Sequence, residues 1–216
     1  THTHTAPYCS AEDAKSVYGI ELDAMSPADC QMFTAQRIAL AAKRAWENRK
    51  PGGVSFGLGH AVASHNRLWS HFNGETTKRG NTNSKDFSHI EGYEDHSVNL
   101  LYTWDNENRL NGVVINVASP SQALGHDHMI SADYWHDVRI ELHKRLGDNI
   151  FILPQCSPAG DQAPHILVGL KAEERMQRIM FPDVDGTGND CMGRRKQVAL
   201  RIAEAVTSVL PYMKDH

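Results

Sequence analysis

Two stretches, Ser97–Trp104 and Gly112–Val117, constrain the chain most. Both are rich in β-branched and aromatic residues, and Asp105-Asn106-Glu107-Asn108 between them has turn chemistry. Together they predict a β-hairpin. A hairpin with so apolar a face must bury it, and the surrounding sequence offers helices for that purpose.

Ser26-Pro27-Ala28-Asp29 opens one helix: Ser26 caps, Pro27 takes the first helical position, and Asp29 suits the positive end of the dipole. Phe33, Ile38, Leu40, Ala41 and Trp46 follow at helical spacing, and Pro51-Gly52-Gly53 ends the run. Val54 to Val62 alternates as a strand, with Val54, Phe56 and Leu58 on one face. Residues 70–97 are polar and rich in Asn, Gly and Thr, which predicts a long loop. Ser131 caps a second helix, with Trp135, Val138, Leu142 and Leu146 as its buried stripe and Gly147 as its stop. Asn149–Leu153 reads as a short strand buried on both faces. Gly193–Tyr212 is an amphipathic helix with Val198, Ile202, Val206 and Leu210 at helical spacing. This order predicts a layered α/β domain with a mixed β-sheet and flanking helices, a single domain over 1–216.

The charge of -4 and a pI near 6.3 come without a basic stripe. Lys43-Arg44 and Arg194-Arg195-Lys196 sit inside helix-like patterns, so nucleic acid is not an expected partner. No apolar run reaches the ~20 residues of a membrane-spanning helix. Cys9, Cys30, Cys156 and Cys191 form no CxxC pair, and two disulfides or four thiols fit the sequence equally.

Thirteen histidines are the unusual count. In Thr1-His2-Thr3-His4-Thr5-Ala6-Pro7, alternate residues of an extended chain point the same way, so His2 and His4 can face one site. Such a pair suits zinc. His126 and His128 repeat the spacing after the hairpin's second strand. Cys156-Ser157-Pro158-Ala159-Gly160-Asp161 follows the short strand, and strand ends of α/β sheets gather ligands, which makes Asp161 a ligand or general-base candidate. In Ser64-His65-Asn66-Arg67, Arg67 can clamp an anionic group. Asp183–Asp190 has the acidic, glycine-rich composition of a calcium loop but lacks the spaced Glu of an EF-hand.

The ordered series THTHTAP, SHNR, NVASPSQ, ISADYW and AGDQAP resembles the N-terminal catalytic domain of neutral/alkaline ceramidases, from Thr1 to about Pro164. The resemblance implies a zinc amidase whose metal activates water or polarises a carbonyl. It implies that His2 is a zinc ligand, that His4 lies close to metal and substrate, and that Asn66 and Arg67 lie near the pocket. It also implies a chain incomplete at its N-terminus, flanking segments supplied elsewhere, a periplasmic or secreted location, and a small-molecule, lipid or glycan substrate. Two positions depart from the family: Ala118 stands where it has a second zinc histidine, and Ala163 where it has an active serine. The expectation is therefore a divergent zinc hydrolase acting on an amide or related bond, with His4, Asp161 and Arg67 in catalysis and His2, His4, His126 and His128 at the metal. The alternative is a catalytically silent relative that binds a carbohydrate or lipid.

Overall fold

The computed structural model describes residues 2–7, 19, 23, 25–125 and 129–213. The chain divides into two compact units, one of Ala6–Pro51 and one of Gly52 onward joined by the residues before Ala6.

The smaller unit contains α1 (Pro27–Glu47). Ser26 Oγ accepts from the Asp29 amide at 3.1 Å, the predicted cap. No residue of α1 is buried, and Ile38 and Trp46 are more than 60% exposed, so this helix does not use its apolar positions as a core.

The larger unit is built on a mixed sheet ordered β1 (Gly52–His60), β6 (Ser97–Asp105), β7 (Leu110–Val117) and β8 (Phe151–Cys156). β1, β6 and β7 run antiparallel, and β8 joins β7 in parallel. Helices α2 (Tyr134–Leu146) and α4 (Met192–Val209) supply apolar residues to the same core as the inward strand residues. Val98, Leu100, Tyr102, Ile115, Val138, Leu142 and Ile202 are almost wholly buried. Each such side chain stabilises the fold by roughly 1.5–3 kcal/mol. Glycine lets α4 approach β1: a Cβ on Gly57 would lie 2.6 Å from Val209 Cγ1. The layered α/β arrangement with a mixed sheet is as the sequence predicts.

Several local expectations change. Residues 70–97 are not one continuous loop, since short strands interrupt them. β3 (Leu68–His71) pairs antiparallel with both β4 (Thr76–Lys78) and β5 (Phe87–Ile90) in a small sheet. Its strands are only three or four residues long, too short for an apolar alternation to mark them. The stretch at Asn149–Leu153 forms β8 over Phe151–Cys156, and it is not buried on both faces: Phe151 is 80% exposed and Leu153 56%. α2 is capped by Asp133 instead of Ser131, whose hydroxyl accepts from the Asp133 amide at 3.1 Å. A further helix, α3 (Leu170–Met180), follows the left-handed Gly169. Two short strands, β2 (His65–Asn66) and β9 (Gln162–Ala163), pair antiparallel beside the main sheet. Among the described residues no helix is long and apolar enough to cross a membrane.

Candidate functional site

β7 and β8 end together, Val117 opposite Cys156, so their carboxyl ends open side by side. The chain after β7 (118–125) and the chain after β8 (157–161) therefore share one edge of the sheet, the place where open α/β sheets collect ligands. The N-terminal segment comes to the same edge. Thr3 forms a parallel bridge with Ser121, and the Ser121 amide donates to the His2 carbonyl at 2.7 Å. Thr5 is buried, its hydroxyl donating to the Ser131 carbonyl at 3.0 Å. Because side chains alternate along an extended chain, anchoring Thr3 and Thr5 leaves His2 and His4 exposed, and their rings lie 5.3 Å apart.

His4 is oriented through a side-chain relay. Gln122, 2% exposed, places its amide nitrogen 2.7 Å from His4 Nε2. The other end of that amide accepts from Arg79 Nη2 at 3.3 Å. The oxygen is thus committed to a guanidinium, and the N–H end faces the imidazole. Arg79 itself has φ +64°, a left-handed conformation rare for a branched-chain-sized residue. Its carbonyl accepts from Trp69 Nε1 at 2.7 Å and its amide donates to Arg67 O at 2.7 Å, which hold it there.

Asp161 is positioned from β2. Asn66 Nδ2 donates to Asp161 Oδ2 at 3.1 Å, while Asn66 Oδ1 accepts from the Leu68 amide at 2.9 Å. The Arg67 amide donates to Asp161 O at 2.8 Å, and its guanidinium holds the Gly160 carbonyl through Nε and Nη2 at 3.1 and 2.6 Å. Burial, with Arg79 nearby, lowers the Arg67 pKa from its usual value. Arg67 thus fixes the Gly160-Asp161 turn, and Asn66 fixes the carboxylate.

The two alanines at the departure positions are both in the interior: Ala118 is 1% exposed and Ala163 0%. Ala163 pairs with His65 in the β2–β9 ladder, and Ser64 Oγ donates to the Ala118 carbonyl at 2.6 Å. Cys156 is no ready nucleophile either, because burial pushes its thiol pKa up. Asp133 serves the helix start: it accepts from the amides of Ala123, Leu124 and Tyr134. Burial nevertheless holds its carboxyl above the usual range.

One group escaped the sequence reading. Glu94 Oε2 lies 3.4 Å from His65 Nδ1 and 3.1 Å from His96 Nε2. His65 Nε2 is buried without a protein partner, and burial lowers the pKa of this ring. A carboxylate behind one nitrogen and an open second nitrogen is the pattern that fixes a tautomer. The string His65-Asn66-Arg67 was legible, but its partner Glu94 stood inside the stretch read as loop.

For a metal, the pair His2/His4 has a suitable spacing. Two imidazoles bound to one tetrahedral zinc through Zn–N bonds of ~2.0–2.1 Å sit about 5 Å apart ring to ring. Among the described residues no third His, Cys, Asp or Glu joins them. His126 and His128, the other expected ligands, lie outside the described residues. In the stretch 183–190, Asp190 Oδ1 accepts from the Gly125 amide at 2.6 Å, Asn189 binds both the amide and the carbonyl of Ile166 at 2.8 Å, and Gly188 binds Gln177. Those polar groups brace the fold.

No protein-family model and no curated sequence relative matches the chain. Solved structures do. The chain is similar in fold to the neutral ceramidase from Pseudomonas aeruginosa, with a TM-score of 0.55, 16% identity, and coverage of 81% of this chain and 25% of that one. It is also similar to a ceramidase complexed with C2, with a TM-score of 0.52 and 16% identity over 78% of this chain and 24% of that one. The chain spans about a quarter of the length of those enzymes. At this identity the likeness establishes a ceramidase-like fold.

Proposed function

We propose that this ceramidase-like fold carries a metal-dependent hydrolase site for an amide or related bond, at the shared carboxyl edge of β7 and β8. The observation that carries the reading is the exposed imidazole pair His2/His4, 5.3 Å apart, anchored to that edge through Thr3 and Ser121. His2 and His4 would hold zinc, with His126 or His128 as a further donor and one position left open for substrate or water. Zinc, when bound, supplies Lewis-acid activation of a carbonyl or of water.

The chain's own residues do the rest. Asn66 keeps the Asp161 carboxylate fixed, with its other oxygen open to accept a proton from water adding to the substrate carbonyl. Water supplies the new C–O bond, the C–N bond breaks, and the proton leaves on the amine. In the metal-free chain Gln122 occupies the His4 Nε2 lone pair, a hydrogen bond that zinc would replace. Arg67 fixes the Gly160-Asp161 turn through the Gly160 carbonyl. With Ala163 at the serine position, water is the nucleophile. The substrate is a small molecule, lipid or glycan presenting an acyl linkage, and any calcium at Asp183–Asp190 is accessory.

The test is amine release from a panel of short- and long-chain N-acyl substrates by the zinc-loaded chain. Asp161→Asn should lower kcat by about 10²–10⁴-fold. A second reading, a silent binding protein, is favoured by the two buried alanines at 118 and 163. Tight binding of these substrates without amine release would establish that reading instead.

A further inference from the structure

Away from this edge, the first turn of α4 contains a guanidinium with no route to solvent. The Arg194 side chain is 0% exposed. Its Nη1 donates to Glu173 Oε2 at 3.3 Å and to Gln197 Oε1 at 3.1 Å. Glu173 also accepts from Arg201 Nη2 at 3.5 Å, and Arg201 donates onward to the Val62 carbonyl at 3.1 Å. One carboxylate therefore serves two guanidiniums, Arg201 partly exposed and Arg194 wholly buried.

Donors of Arg194 are left uncompensated. Arg194 Nε and Nη2 are both buried and neither has a protein acceptor. These two atoms form one edge of the guanidinium, the fork that binds anions side-on. Gln197, three residues on along the same helix face and 1% exposed, has its Nε2 buried and unpaired too. Its Oε1 is already held by Arg194 and by Gln177 Nε2 at 3.2 Å, which fixes the direction of its amide. Leaving three charged or polar donors buried and unmet would cost several kcal/mol. Arg194 and Arg201 also contribute to the lowered pKa of His65, although burial is the largest cause there. The surroundings are thus electropositive at more than one point.

We propose that the Nε/Nη2 edge of Arg194 binds a small monovalent anion of the halide class. The site is enclosed, so a single-atom ion suits it better than a ligand's carboxylate. The anion ties α4 to α3 through the Glu173 and Gln177 contacts of Arg194 and Gln197.

The experiment measures the melting temperature of the chain in sodium bromide, chloride and gluconate at equal ionic strength. A crystal soaked in bromide is then used for anomalous diffraction. The expected result is a saturable rise in Tm with bromide and chloride over gluconate, and a bromide peak at the Nε/Nη2 edge of Arg194. Gln197→Glu, which places a carboxylate oxygen where the amide donor stood, should abolish the halide response. Equal melting in all three salts, a bromide peak elsewhere or none, or a halide response unchanged in Gln197→Glu would overturn the proposal. The bromide measurements on the unaltered chain stand even if the variant fails to fold.

Discussion

The amide nitrogen of Gln122 lies 2.7 Å from Nε2 of His4, and the same amide accepts from Arg79 Nη2 at its other end. An N–H donor at Nε2 requires the neutral ring to carry its proton on Nδ1. Nitrogen NMR of the ring at pH 8 should report that tautomer in the metal-free chain. Gln122→Ala should shift His4 toward the Nε2–H form, whereas an unchanged tautomer would remove Gln122 from the orienting role.

The charge network at α4 predicts a strong stability effect. Glu173→Gln removes the carboxylate shared by Arg194 and Arg201 and leaves the fully buried Arg194 without its carboxylate partner. Breaking such a pair from one side should cost about 3 kcal/mol. Urea unfolding of the two chains measures it, and a change within about 0.5 kcal/mol would show the network to be solvated.

Ala163→Ser tests the position at which the ceramidase resemblance expects a serine. The Ala163 side chain is wholly buried and its backbone pairs with His65, so an added hydroxyl needs an acceptor in the interior. The variant should lose about 1–3 kcal/mol of stability. It should form no acyl-enzyme with activated esters, as intact mass spectrometry would show.

Acid should weaken the fold through two histidines. Burial lowers the pKa of both His65 and His165 in the folded chain. Their unfolded pKa lies near ~6.5, so the unfolded chain takes up protons first as pH falls. The stability they contribute is complete above that value and is lost progressively below it. Tm should fall from pH 6.5 to 5, and His65→Gln with His165→Gln should flatten that slope. Glu94, which favours the protonated ring of His65, makes the His165 contribution the cleaner of the two.

Much of this edge of the fold was readable because it depends on local rules. The alternation of THTHT already separates His2 and His4 from Thr3 and Thr5, and the structure buries Thr5 while exposing the two rings. Trp135, Val138 and Leu142 announce the buried face of α2 by spacing alone. The remainder depends on contacts between distant residues. Asn66 and Asp161 meet across 95 positions, and nothing in either segment specifies the other. The small sheet of β3, β4 and β5 was hidden because strands such as Thr76–Lys78 have no apolar face to betray them. The exposure of Phe151 and Leu153 was hidden for the opposite reason: an apolar strand reads as buried on both faces whether or not anything covers it.

The central claim, a metal held at His2 and His4, is tested most directly by titrating the chelator-stripped chain with zinc in a calorimeter. One zinc per chain is expected, with the affinity lost in His2→Ala. Zinc binding that persists unchanged in a His2→Ala, His4→Ala double variant, or no binding by the unaltered chain, would contradict it.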